Sequence, residues 1–173
     1  MREKQGGCIS INQHSKSTSI NLFMQCNTST SWCKKMEASR PFVDNCQSIF
    51  EVCDQHWKES LEVDLLEAFE GHPEIGNVST LREKYRNTKK SASHEQSGVN
   101  TASDKTLQLL LQANKSYKEK FGFIFIICAS GKSADEMLAQ LQERFLNTRK
   151  QELINAAEEQ RKITHIRIKN LLK

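Results

Sequence analysis

The stretch EGHPEIG, Glu70 to Gly76, sets an imidazole beside a proline just past an apolar run. Imidazole titrates near neutral pH and can serve as acid or base. Gly71 is a natural residue to close a helix and Pro73 cannot continue one, so His72 falls in the first residues past a helix end. Two readings are open for it: a cap on the last helical carbonyls, or an imidazole presented for proton transfer. A second cluster, SASHEQSG from Ser91 to Gly98, gathers the hydroxyls of Ser91 and Ser93, the His94 ring, the Glu95 carboxylate and the Gln96 amide. Alone, such a run reads as a solvated loop with His94 facing solvent. The third candidate is Arg167, which lies one helical turn from both Ile163 and Leu171, within the apolar stripe of the last helix. A buried guanidinium without an anion is costly. Arg167 therefore pairs with a core carboxylate, snorkels its head to water, or faces a pocket and grips a carboxylate through two parallel N–H bonds. His14, His56 and His165 fall on polar positions and receive no role.

The elements that must position these groups read as helices almost throughout. A first helix over about Ser17 to Cys26 carries Ile20, Phe23 and Met24, and a second from near Ser31 carries Trp32 and Met36. Pro41 in SRPF breaks the second. A third starts at Asp44, with Gln47 completing a capping box, and carries Cys46, Ile49, Phe50, Cys53 and Trp57 at helical spacing. Ser60 opens a fourth, with Leu61, Leu65, Leu66 and Phe69 inward. Residues 77–96 are polar, without an apolar period, and read as a long loop with short helices; long loops in compact domains are often functional. A long helix from Ser103 places Leu107, Leu110, Ala113, Tyr117 and Phe121 on one stripe and ends at Gly122. The run Ile124 to Cys128 has strand character, but one strand forms no sheet, so a buried extended connector is expected. Ser133 to Glu136 forms a capping box for a helix carrying Met137, Leu141 and Phe145. The last helix, from about Thr148 to Leu172, carries Leu153, Ala156, Ala157, Ile163 and Leu171. The expected fold is all-α, a single-domain bundle of about eight helices, with residues 1–9 a disordered N-terminal extension and 10–173 one domain.

Bulk properties narrow the function. The chain has 173 residues, which suits one domain with a sizeable core. Two prolines and seven glycines are too few for a turn-rich β-sandwich. A net charge of +4 is spread among interleaved acids, which argues against nucleic-acid binding. No apolar run reaches the roughly eighteen residues of a membrane span. The start of the sequence lacks a secretory h-region and its end lacks a Ser-Lys-Leu address, so a cytoplasmic location is expected. The six cysteines include no C-x-x-C pair, so the zinc spacing is absent and no metal is expected. Cys46 and Cys53 read as small buried hydrophobes, kept reduced. There is no P-loop, dinucleotide fingerprint or nucleophile triad pattern.

Five motifs in order carry a resemblance: SRPF at Ser39 to Phe42, GHPEIG, HEQSG, YKEKFGFIFIICASGKS and KITHIRI. From about Ile9 to Lys173 the chain resembles the 2-oxo-4-hydroxy-4-carboxy-5-ureidoimidazoline (OHCU) decarboxylase family, which acts in the breakdown of urate to allantoin. The resemblance implies an all-helical homodimer that binds a small-molecule substrate and uses no metal or organic cofactor. It also implies that His72 is the catalytic histidine, followed by Pro73 in the site. Glu95 and Gln96 match the carboxylate and amide of the family's Ser-x-x-Glu-Gln element. Phe125, Ile126, Ile127, Cys128 and Ala129 match a segment whose backbone lines the pocket, and Arg167 matches the arginine of the last helix. The sequence departs at three points. Ala92 stands where the family has serine, with Ser91 and Ser93 flanking it as substitutes. Ile124 replaces a proline, and Ser130 stands where a basic residue is common.

The implied substrate carries a carboxylate next to a ring C=N, so it is its own electron sink when CO₂ leaves. His72 would deliver one proton to one face, giving S-allantoin. Glu95 would orient the ring, Gln96 and the backbone of Phe125 to Ala129 would read the amides, and Arg167 would hold an anionic group. Two alternatives stay open: an inactive helical relative acting as an interaction module, and a lyase or hydrolase for a different ureido or imidazoline substrate.

Overall fold

The computed structural model describes residues 11–43, 47–73 and 104–173. Among them all regular structure is helical: α1 Lys16–Cys26, α2 Thr30–Ala38, α3 Gln47–Lys58, α4 Glu62–Glu70, α5 Asp104–Phe121, α6 Ala134–Arg144 and α7 Arg149–Leu171. A further helical turn occupies residues 11–13. The expected all-α class and helix order hold. Ile124 to Ala129 form no helix and pair with no strand. No helix among the described residues is long and apolar enough to cross a membrane. The expected loop at 77–96, the N-cap Asp44, Cys46 and the extension 1–9 lie outside the described residues.

The chain divides into two compact units, residues 1–72 with 158–173, and residues 73–157. In the first, Ser15 and Ser29 cap α1 and α2 by accepting from the N–H groups of Thr18 and Trp32. These side chains satisfy donors that have no partner inside the helix. The core holds Phe23, Trp32, Met36, Ile49, Cys53 and Phe69, each 1% exposed or less. Burying each large apolar side chain contributes about 1.5–3 kcal/mol. The indole N–H of Trp32 donates to the Cys53 carbonyl at 3.2 Å, tying α2 to α3. The SRPF motif is structural here. Arg40 donates to the carbonyls of Ile11 at 3.1 Å and His14 at 2.7 Å and to the Glu37 carboxylate at 2.8 Å.

In the second unit, Leu107, Leu110, Tyr117 and Phe121 of α5 and Met137 and Leu141 of α6 are buried. Ser133 and Glu136 form the expected reciprocal cap of α6. Gly122, at φ 81°, closes α5 in the left-handed region that favours glycine.

Two expected faces differ. Leu61 is 68% exposed; it precedes α4, and its N–H is taken by the Asp64 carboxylate at 2.9 Å. In α7 the buried positions are Glu152, Ala156, Gln160, Thr164 and Ile168, offset from the apolar stripe. Leu153, Ala157, Ile163 and Arg167 flank that line half-buried. Polar groups that satisfy one another can occupy a core line, and hydrophobic periodicity cannot see them.

Candidate functional site

The end of α4 is shaped by a threonine. The Thr28 hydroxyl lies 3.2 Å from the Glu67 carbonyl and 3.3 Å from the Ala68 carbonyl. A Cβ on Gly71 would sit 2.0 Å from that hydroxyl, so no other residue fits without displacing Thr28. Gly71 has φ −68°, so the glycine serves close approach here and not the left-handed turn its position suggested. Glu67 reinforces the junction by accepting from the Thr30 N–H at 2.9 Å. The His72 N–H donates to the Phe69 carbonyl at 3.1 Å, one turn back. The Glu67, Ala68 and Phe69 carbonyls of α4 thus have partners in Thr28 and the backbone.

That ring turns to α7: Nε2 of His72 lies 2.6 Å from Oε1 of Gln160. The Gln160 amide N–H reaches the Thr164 hydroxyl at 3.3 Å, and Asn27 Nδ2 reaches the same oxygen at 3.4 Å. Arg167, one turn on, donates to the Cys26 carbonyl at 3.2 Å. The end of α1 and the short connection to α2 therefore anchor three things at once: the end of α4 through Thr28, the Gln160–Thr164 pair through Asn27, and Arg167 through Cys26. Among the described residues Arg167 has no carboxylate partner, and one carbonyl uses only part of its five-donor fork. Burial lowers the Arg167 pKa, and it raises the Cys26 thiol beside it to about 11.

In the second unit, Phe125, Ile126 and Cys128 are buried while Ile127 and Ala129 are half-buried. Arg144 fixes this segment, donating to the Ile126 carbonyl at 2.9 Å and stacking 4.7 Å from the Phe125 ring centroid. Arg144 in turn meets the wholly buried Glu152 at 2.9 Å. Pro73 is exposed. Ser91, Ser93, Glu95 and Gln96 lie outside the described residues.

Two other histidines, His165 and His56, have structural partners. His165 Nε2 meets the Asp54 carboxylate at 2.6 Å, and His56 Nε2 meets the Ser39 hydroxyl at 2.8 Å. Cys53, Asp54 and His165 bring possible ligand atoms within 4.8 Å of one another. The set suits a cation poorly: Arg161 already neutralises Asp54 at 3.1 Å, and burial holds the Cys53 thiol protonated. The residue that sequence reasoning missed is Gln160. Its signal was the polar pair Gln160 and Thr164, one turn apart on the line of Ala156 and Ile168.

Residues 12–169 match the protein-family model for OHCU decarboxylase. The chain belongs to the OHCU decarboxylase family. The "Uric acid degradation bifunctional protein TTL" of Arabidopsis thaliana is 40% identical over 146 residues, covering 84% of this chain and 45% of that protein. The "Uric acid degradation bifunctional protein" of Bacillus sp. (strain TB-90) is 26% identical over 174 residues, covering 100% of this chain and 32% of that protein. The chain thus spans less than half the length of these two curated relatives. A crystal structure of OHCU decarboxylase in the presence of (S)-allantoin superimposes with a TM-score of 0.72 at 35% identity, covering 92% of this chain and 99% of that one. The helical architecture derived above is therefore that of a solved structure of the OHCU decarboxylase family.

Proposed function

We propose that this chain decarboxylates OHCU to S-allantoin in urate degradation, with His72 as the proton donor. The observation that carries the reading is the His72 ring, held by Gln160 just past the end of α4 in a chain that matches the family over residues 12–169. In the reaction the bond from the ring carbon to the carboxylate breaks and CO₂ departs. The electron pair forms a C=C bond to the adjacent imine carbon as the C=N electrons move to nitrogen, which takes a proton. The resulting enol then takes one proton at the former imine carbon while its hydroxyl gives one up to become the carbonyl. Because the substrate accepts its own electrons, no metal or organic cofactor is required.

His72 delivers the carbon-bound proton to one face. Glu95 orients the ring and favours its charged form, and Pro73 shapes the approach. Gln96 and the backbone of Phe125, Ile126, Ile127, Cys128 and Ala129 read the ureido and ring amides. Ser91 or Ser93 supplies the hydroxyl that Ala92 lacks. Arg167 holds an anionic group through N–H donors other than the one given to the Cys26 carbonyl. Residues 10–173 work as one domain, supported by a family match that runs unbroken over 12–169. The working protein is a cytoplasmic homodimer that engages neither nucleic acid nor membrane. Cys26, Cys33 and Cys53, buried free thiols, suit a reducing compartment.

The test is to add the protein to freshly generated OHCU and follow optical activity. Rapid formation of S-allantoin, unaffected by exhaustive chelation, supports the reading. Decay to racemic allantoin at the uncatalysed rate would favour an inactive interaction module. Activity lost on chelation and restored by a divalent metal would remove the cofactor-free mechanism.

A further inference from the structure

The polar chain that ends on His72 has a direction, and both of its backbone anchors have fixed polarity. The Ser29 N–H can only donate, and it donates to Asn27 Oδ1 at 3.0 Å. The other end of the Asn27 amide, Nδ2, must then face Thr164. The Gln160 backbone carbonyl can only accept, and it takes the Thr164 hydroxyl proton at 2.9 Å. With its single proton committed, the Thr164 oxygen can only accept, and it does so from Asn27 Nδ2 at 3.4 Å and Gln160 Nε2 at 3.3 Å. These two contacts are long, so polarity, more than strength, is what they transmit. The Gln160 amide is thereby oriented with Oε1 toward His72. An amide oxygen only accepts, so Nε2 of His72 must carry hydrogen.

From this we infer that Gln160 is a positioning residue that locks His72 in the Nε2–H form, making Nδ1 the nitrogen that exchanges the catalytic proton. The inference rests on the decarboxylase reading for the role of Nδ1, but not for the tautomer. In the neutral ring Nδ1 holds the lone pair. In the imidazolium both nitrogens carry hydrogen, Gln160 retains the one on Nε2, and the one on Nδ1 passes to the former imine carbon of the enol once CO₂ has left. Ser29, Asn27, Gln160 and Thr164 are each 1% exposed or less. Burying amides and hydroxyls costs free energy unless every group is paired. Four such residues converging on a half-exposed ring make sense if the orientation of that ring matters.

Long-range proton–nitrogen correlation spectra of the full chain with ¹⁵N-labelled histidine test this directly, with His72→Asn identifying the His72 signals. The expected result is the Nε2–H tautomer in the neutral ring of the wild-type protein. Gln160→Met, which keeps the length without an acceptor, should lose that preference, and Gln160→Glu, which keeps an acceptor oxygen, should retain it. Thr164→Val frees the amide to rotate and should give a mixture. In kinetics Gln160→Met should lower kcat about tenfold to a hundredfold at little changed KM, a fraction of the full acid–base factor of about 10²–10⁴. A merely structural glutamine would change the melting temperature and leave the tautomer alone. An Nδ1–H tautomer in the wild type, or Nε2–H persisting in both Gln160→Met and Thr164→Val, would overturn the lock. A wild-type chain with the Nε2–H tautomer but no turnover of OHCU would sink the decarboxylase reading and the role of Nδ1, and leave Gln160 as the lock.

Discussion

Helix α7 buries two polar clusters, and they are built differently. Near its start Glu152 is wholly buried. It accepts from Tyr117, Arg144, Asn147 and Asn155. That network is charged and closed, and its outermost act is to brace the Ile126 carbonyl through Arg144. Further along, Gln160 and Thr164 form a neutral chain that starts at the backbone of Ser29 and ends on the half-exposed His72 ring. A charged network centred on one buried carboxylate holds shape, because several elements bond to the same group. A chain that ends on a titratable ring passes its polarity to that ring. Buried polarity alone therefore does not mark a site; where the chain of donors ends does.

The largest effect expected from breaking the comparison is on stability, at the closed end. Glu152→Leu leaves Arg144 without its carboxylate, and removing one partner of a buried pair costs about 3–5 kcal/mol. Chemical denaturation should show that loss. The same network sets a pH dependence. Burial pushes the Glu152 carboxyl up, but the bonds from Arg144, Tyr117, Asn147 and Asn155 outweigh it and hold the group below its ordinary value of 4.5. Its folded pKa lies below the unfolded one, so the stability it contributes is present above about pH 4.5 and is lost as pH falls through the folded value. Melting curves through this acid range should be flatter for Glu152→Gln than for the wild type.

Arg167 sharpens the contrast at intermediate size. If it grips the substrate, Arg167→Met should lower kcat/KM about tenfold to a hundredfold, the equivalent of roughly 1.5–3 kcal/mol for a bond to a charged group. Arg167→Lys should recover only part, since lysine lacks the planar fork. Melting temperature should change little or rise, because the guanidinium meets only the Cys26 carbonyl among the described residues. Unchanged kinetics with a sharp fall in melting temperature would make Arg167 structural. The smallest effect is expected at Ala92→Ser. A neutral hydrogen bond is worth roughly 0.5–1.5 kcal/mol, so turnover should stay equal or improve slightly. A large fall in kcat/KM would show that Ser91 and Ser93 do not stand in for that serine.

Much of this was legible in the sequence, for reasons that differ by residue. Trp32, Met36, Ile49, Cys53 and Phe121 announced their faces because apolar residues at helical spacing have one way to be buried together. Ser133 and Glu136 announced their helix start through reciprocal capping. His72 was placed by Gly71 and Pro73, although the reason for Gly71 lay in Thr28, far away in sequence. The buried line of α7 was illegible because periodicity counts apolar residues, and this line includes Glu152, Gln160 and Thr164. Their partners, Tyr117, Arg144, Asn27 and His72, come from other elements, and no spacing within one helix reveals them.

The central claim is that the open-ended chain serves the His72 imidazole and that the ring moves the proton. It is tested most directly by the rate of S-allantoin formation from OHCU in the wild type and in His72→Asn, at matched folded concentration and with melting temperatures measured alongside. Asparagine keeps a polar group for Gln160 but cannot transfer a proton at neutral pH. The account predicts a fall of about 10²–10⁴-fold in rate, with little change in melting temperature. Near-full turnover by His72→Asn would contradict it.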